Sequence, residues 1–490
     1  MEPLDSLARR LPPGAVSTHP GELGTRSHDR WALALLREAR GDRVPPPAAV
    51  VFPSSTEEVA AVLAWAAETA TPVVPRGAGL GPAGGAQALP GGVVLDLSRM
   101  DRVLAVDPIS QTAHAEAGVL GADLEEALGK EGLTVGPLED SLALCTVGGW
   151  VASRAPLGPA GRGPGEAVLG LTVVLAGGEV VRLPPLPWPG PGPDPRSLLA
   201  GSEGTLGVVT EVVLSVSRAP TGVLWEVFRP SSFESGSALV RAAVQRGFEP
   251  LVVGVFDREA AAETFADADA AALLGRPGPL VVLGFDAGAP AAEPGLFELR
   301  VLARELGANP APLELGEHWW AHRGDLAERH RAVMGEERAL GPGVVVDLLP
   351  AAGLWRRLPR LYEDVRGALR RHAESVTCRL VRATRSGAEL EFSFLLRAPD
   401  DEEAEERCLE AWAEAAAACR EAGGTVLHRG VGLRGLPFVG AELDSALPGL
   451  GRLRRALDPQ GLLNPGKLLP EELAVGPPPA APSRGGEGGG

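Results

Sequence analysis

A run of glycines and prolines sets the main limit on the first half of this chain. Residues 73–87 read VVPRGAGLGPAGGAQ, and GLGPAG at 79–84 matches the dinucleotide-binding pattern G-x-G-x-x-G. That pattern marks a nucleotide-binding turn only where a strand precedes the glycines and a helix starts within them, because the helix N-terminus holds the pyrophosphate. VVP supplies the strand. Pro82, Gly84, Gly85, Pro90, Gly91 and Gly92 deny the helix, and the apolar VVLDLS follows at once. A strand-loop-strand results, whose small residues can offer backbone N–H groups to an anion.

The flanking pattern agrees. AAVVFP reads as a strand, STEEVAAVLAWAAE as a helix capped by Ser55 or Thr56, and TPVVP as a second strand, a β-α-β opening. TAHAEAG reads as a strand, GADLEEALGKEG as a helix, and LGLTVVLAGGEVVRL as a hairpin. PPLPWPGPGPDP reads as a loop and GTLGVVTEVVLSVS as a strand. From about Thr221, strands (VLWEVF, PLVVGVF, LVVLGFD, GVVVDLLP, LEFSFLLR) mix with amphipathic helices in an α+β layout. The tail ending GPPPAAPSRGGEGGG is expected to be disordered.

A chain of 490 residues holds two or three cores, and 45% apolar content is that of a folded protein. A net charge of -17 argues against nucleic acid. No apolar run is long enough to span a membrane and no signal sequence opens the chain, so a cytoplasmic location is expected. The four cysteines are dispersed, which suggests neither a zinc knuckle nor a disulfide framework. Only Lys130 and Lys467 are lysines. Segment 351–385 holds nine arginines against three acids; six read as a solvated helix face, while Arg379 and Arg382 fall on a strand suited to an anion. His318, His322 and His330 fall near one helix face, but Trp319 replaces the glutamate a zinc hydrolase would need, and no metal site is expected.

Three motifs taken together, PRGAGLG (75–81), VGGWVAS (147–153) and GSEGTLGVVTE (201–211), resemble the flavin domain of the vanillyl-alcohol-oxidase-type FAD family, also called the FAD-binding type 4 or PCMH-type domain. The likeness extends to AHAEAGVLGADLEEAL (113–128) and DPQGLLNPGKLLP (458–470). It implies an α+β, two-domain vanillyl-alcohol-oxidase-type FAD fold with an α+β cap. The expected divisions are an extension at 1–47, the FAD domain at 48–218, the cap at 219–439, a return to the FAD domain at 440–470, and the tail at 471–490. The cofactor residues it implies are Pro75, Arg76, Gly77, Ala78, Gly79, Leu80, Gly81, Asp140, Ser141, Thr146, Gly148, Gly149, Ser153, Glu203, Gly204, Thr205, Gly207 and Val208. FAD would be non-covalent, since loop 76–85 has no His or Cys.

Within the family, EDSLALCTVGGWVASRA (139–155), TCR (377–379) and GGTVLHRGVG (423–432) resemble the alkylglycerone-phosphate synthase branch. That branch exchanges an acyl for an alkyl chain on acyl-dihydroxyacetone phosphate through a flavin adduct, as part of ether-lipid synthesis. The resemblance implies Arg379 as the anion ligand of a small phosphate- or carboxylate-bearing substrate, and His428 as acid or base. Thr384 stands where the branch has its catalytic tyrosine, and Arg429 where the family has histidine before G-V-G. In the loop, Leu80 replaces a threonine and Pro82 has no N–H. At about 1.5 to 3 kcal/mol per hydrogen bond to a charged group, these losses imply weakened FAD affinity. The Gly/Pro tract 156–165 replaces a more polar family segment. Two alternatives stay open: a glycolate or D-lactate (2-hydroxy-acid) dehydrogenase, whose H-G-D-G-N-L-H-like cluster is absent here, and a catalytically degenerate paralogue acting as a binding or regulatory subunit. Homodimerisation is compatible with either.

Overall fold

A computed structural model describes residues 2–42, 44–137, 140–155, 167–188, 190–289, 292–335 and 337–470. The tract 156–165 and the tail 471–490 lie outside these residues.

The opening β-α-β is present. Strand β1 (Ala49–Val51) is followed by helix α1 (Thr56–Thr69), β2 (Val73–Arg76) and β3 (Val93–Asp96), and β3 pairs in parallel with both other strands. Ser55 is the N-cap, its hydroxyl accepting from the Glu58 amide at 3.2 Å. No helix follows β2: residues 77–92 run as loop and turn directly into β3.

Beside this sheet lies an antiparallel one. Strands β4 (Val103–Asp107) and β5 (Thr112–Glu116) are followed by helix α2 (Gly121–Gly129), helix α3 (Val147–Ser153), the hairpin β6 (Val168–Val174) and β7 (Val180–Leu183), and β8 (Val208–Ser215). The sheet order is β4-β5-β8-β6-β7. Trp65, Trp150 and the apolar faces of α1 and these strands share one core.

The larger sheet comes from the second half. Strands β9 (Val223–Arg229), β10 (Val252–Phe256), β11 (Leu280–Asp286), β12 (Val344–Leu354), β13 (Ser375–Ala383) and β14 (Gly387–Arg397) form the body of eight antiparallel strands, in the order β9-β11-β10-β13-β14-β12 between two short edge strands. Helices α4 (Leu358–Leu369) and α5 (Asp401–Glu421) pack against it and against each other.

The chain then returns. Helices α6 (Gly432–Leu443) and α7 (Leu447–Leu457) lead to a segment beside β2, where the Val73 amide donates to the Leu462 carbonyl at 2.9 Å and the Asn464 amide to the Val73 carbonyl at 2.8 Å. Arg454, fully buried on α7, fastens the segment by donating to the carbonyls of Lys467 (3.1 Å) and Leu463 (2.9 Å). Arg454→Leu leaves both carbonyls unpaired and is expected to lower unfolding free energy by about 2 to 4 kcal/mol, read as a shifted denaturant midpoint.

Candidate active site

The loop after β2 is shaped by close approaches that only glycine permits. A Cβ on Gly77 would lie 2.1 Å from Thr146 Oγ1, and Gly79, at φ +68°, holds its backbone against the Arg76 guanidinium, where a Cβ would meet Nη2 at 2.0 Å. Arg76 lies under the loop and donates to the His28 carbonyl at 2.8 Å. Burial lowers its pKa, opposed by the charges of Asp96 and Asp29. Its side chain is therefore a strut. The amides of Ala78, Gly79, Leu80 and Gly81 have no acceptor among the described residues. Four consecutive unpaired donors on a partly exposed loop are available to an anion.

Helix α3 faces this loop. Thr146 caps it, accepting from the Gly149 amide at 3.3 Å, and Ser153 Oγ donates to the Gly149 carbonyl at 2.8 Å. Gly148 sits flush against Ala117, to whose carbonyl its amide donates at 2.8 Å. Asp140 opens the short helix Asp140–Ala143, and Ser141 is exposed on it.

The turn 201–208 completes the cradle. Glu203 (φ +51°) and Gly204 (φ +73°) are left-handed, and Gly204 is so near Pro75 that a Cβ would meet its Cγ at 2.8 Å. Thr205 is fully buried, and its hydroxyl donates to the Ser202 carbonyl at 2.7 Å. Gly207 abuts Val173, and Val208 opens β8. The Glu203 carboxylate accepts from the amides of Val431 and Gly432, the latter at 2.8 Å. Burial raises its pKa, offset in part by these two amides.

Three groups that sequence reasoning missed support this turn. Asn464 Nδ2 donates to the carbonyls of Gly85 (3.0 Å) and Glu203 (2.8 Å), while its Oδ1 is buried without a partner. Lys467 Nζ donates to the Gln87 carbonyl at 3.2 Å; burial lowers its pKa to about 8, against the raising charges of Asp29 and Glu203. Buried Asp29 accepts from the amides of Trp31 (3.1 Å) and Ala86 (3.3 Å). The signal for two of them was the string NPGK, since the chain has two asparagines and two lysines in all.

A second cluster lies on the large sheet. Arg379 and Arg382 on β13 stand opposite Glu391 and Glu389 on β14, and Arg379 is ion-paired to Glu391. His428 and Arg429 reach the same carboxylates, with His428 Nε2 2.9 Å from Glu389 Oε1 and Arg429 paired to Glu389. The histidine contact is an ion-pair distance without hydrogen-bond alignment, and His428 Nδ1 is also unpartnered. Burial alone would raise the Glu389 carboxyl, but the charges of Arg429, His428 and Arg382 hold it down at about 2. The sequence signal that could have found the glutamates is a pair of charges at i and i+2, hence on one face, of an apolar strand (GAELEFSFLL).

Other candidates lie elsewhere. Thr384 closes the β13–β14 hairpin, its hydroxyl donating to the Gly387 carbonyl at 3.0 Å and accepting from the Gly387 amide at 3.1 Å. Arg360, Arg366, Arg370 and Arg371 pair with surface carboxylates, and Arg338 pairs with Asp401 at 2.5 Å. The three histidines do not share a helix face: the helix carrying His318 ends at Ala321, and His330 belongs to the next, Asp325–Met334. Among the described residues no group of three or more metal-ligating side chains is assembled.

A model of the FAD binding domain matches residues 47–184, and a model of the C-terminal domain of FAD-linked oxidases matches 224–468. The chain belongs to the FAD-linked oxidase family. An alkyldihydroxyacetonephosphate synthase of Trypanosoma brucei brucei is 26% identical over 477 residues, covering 89% of this chain and 75% of that protein. The glycolate oxidase subunit GlcD of Bacillus subtilis is 27% identical over 441 residues, covering 87% and 90%. Among solved structures, an alkyldihydroxyacetonephosphate synthase superposes with a TM-score of 0.78 at 21% identity, covering 95% of this chain and 86% of its own. The fold is the α+β vanillyl-alcohol-oxidase type, and no helix among the described residues is long and apolar enough to cross a membrane.

Gly77→Ala places its Cβ into Thr146 Oγ1, and FAD Kd, read in a fluorescence titration, is expected to rise at least about ten-fold, the worth of one charge-assisted hydrogen bond. Because the folded Glu389 carboxyl titrates at about 2, below its ordinary value of 4.5, its stabilisation is complete above that ordinary value and is lost as pH falls toward 2. Glu389→Gln should therefore be less stable at neutral pH by about 3 kcal/mol, with the gap narrowing below pH ~4.5 in denaturant titrations.

Proposed function

We propose that this protein is a non-covalent FAD enzyme acting on a small substrate that bears a phosphate or carboxylate, with an activity like that of alkylglycerone-phosphate synthase. The four unpaired amides at Ala78–Gly81 are the observation that carries the cofactor reading, since a family FAD domain is matched over the same residues. In this reading the amides, with Thr146 and the 203–205 turn beside them, hold the pyrophosphate. FAD, when bound, supplies an electron-accepting ring.

Substrate chemistry falls to the cluster on β13 and β14. Three guanidiniums, of Arg379, Arg382 and Arg429, converge on two carboxylates, so the cluster keeps positive charge for an incoming anion. Arg379 binds that anion. His428 moves the proton, because its imidazole is the one side chain of the cluster that both donates and accepts a proton through ring nitrogens. Thr384 fits the turn it closes and is assigned no proton. We read the missing hydroxyl at Leu80 and the missing N–H at Pro82 as weakening FAD affinity without abolishing it.

The second reading, a 2-hydroxy-acid dehydrogenase, draws on the resemblance to the Bacillus subtilis glycolate oxidase subunit. The two separate in one experiment: anaerobic D-lactate or glycolate bleaches the flavin of the dehydrogenase and leaves that of the synthase yellow. Purified protein should show flavin absorbance, alone or after FAD addition. No chromophore under either condition overturns both readings in favour of a non-catalytic paralogue. Arg379→Ala should raise KM for the turned-over anionic substrate by about ten- to a hundred-fold, with FAD absorbance retained; unchanged KM removes its role.

A further inference from the structure

Glu203 has its backbone in the 201–208 turn and its carboxylate turned to the segment leading into α6. Both oxygens are spent on consecutive amides, those of Val431 and Gly432. A buried carboxylate is costly unless both oxygens are satisfied, so this two-pronged contact holds it in one position. The segment it holds is packed without slack. Gly432, at φ +53°, lies against the Ala83 carbonyl, which a Cβ would meet at 2.2 Å, and the Arg434 amide donates to that same carbonyl at 3.0 Å. Gly430 faces Glu203 Oε1 and Ser153 Cβ, at 3.5 and 3.7 Å from a would-be Cβ. Directly upstream, His428 and Arg429 reach Glu389 on the large sheet. On the other side, the Glu203 carbonyl is tied through Asn464 to the Gly85 carbonyl of the cofactor loop.

We propose that the Glu203 carboxylate is a positioning group that latches the segment carrying His428 and Arg429 to the FAD-binding turn, so that filling the cofactor loop and placing those two side chains become one event. In this proposal the carboxylate acts through the segment it holds. Two physical links cross from one half of the chain to the other here, Glu203 to Val431 and Gly432, and Ala83 to Arg434. The latch is a property of this chain's own residues; its coupling to FAD rests on the cofactor reading above.

Amide hydrogen exchange of the full-length protein, with and without FAD, tests it in wild type, Glu203→Gln and Glu203→Ala. In wild type, FAD should slow exchange across 428–434. In Glu203→Ala without FAD, that segment should exchange about ten-fold faster or more, as expected when hydrogen bonds to a charged acceptor are lost. FAD should then no longer slow it, and because the coupling is reciprocal, FAD Kd should rise by no more than the factor by which FAD slows exchange at 428–434 in wild type. Glu203→Gln keeps one acceptor oxygen and should fall between the two. Exchange at 428–434 that is the same in all three proteins overturns the latch, as does a rise in FAD Kd with 428–434 unaffected, which would make Glu203 a cofactor ligand. A wild-type protein that fails to bind FAD refutes the cofactor reading instead, and the comparison without FAD still decides the latch.

Discussion

Close backbone approach at glycine is the constraint on which the site depends. Gly77 admits Thr146, Gly148 lies on Ala117, Gly204 presses on Pro75, and Gly432 on Ala83. Each contact joins two segments far apart in sequence, and each would fail with a single methyl group. These approaches turn the β2–β3 loop outward with its amides unpaired, and they bring α3, the 201–208 turn and the start of α6 to one place. A helix starting at the loop would have used those amides internally; prolines and glycines keep them available.

The second feature is how charge is buried. The chain is acidic overall, yet its interior holds Arg76, Arg434, Arg454 and Lys467, each donating to a carbonyl or a carboxylate. Arg434 is typical: it lies 4.3 Å over the Trp412 ring and 3.5 Å from Asp347, which also accepts from the Trp412 indole at 2.9 Å. Such groups add little net stability but penalise alternative packings, because a misplaced partner leaves a buried charge alone. They cluster where the C-terminal segment returns to β2 and where α6 meets the large sheet, the two junctions that set the site.

Much of the fold was legible in the sequence. The β-α-β opening, the AGG hairpin and the long strands of the second half carry periodic apolar patterns bounded by turn residues, and they form where those patterns place them. Long-range partners were not legible. Nothing local shows that Arg76 turns under its own loop, that Thr205 spends its hydroxyl on Ser202, or that Glu203 reaches Val431, more than two hundred residues away. The histidine spacing misled because periodicity says nothing about a helix ending at His322. Glu389 and Glu391 were visible as charges but had no assignable partners until β13 and β14 were set in register.

Hydrogen exchange at Ala78–Gly81 is the most direct test that these amides are a pyrophosphate site. Saturating FAD should slow their exchange by about ten-fold or more, as new hydrogen bonds to a charged acceptor form, with protection extending to Thr146–Gly149. Exchange at Ala78–Gly81 that stays fast while FAD binds would place the cofactor elsewhere and contradict the account.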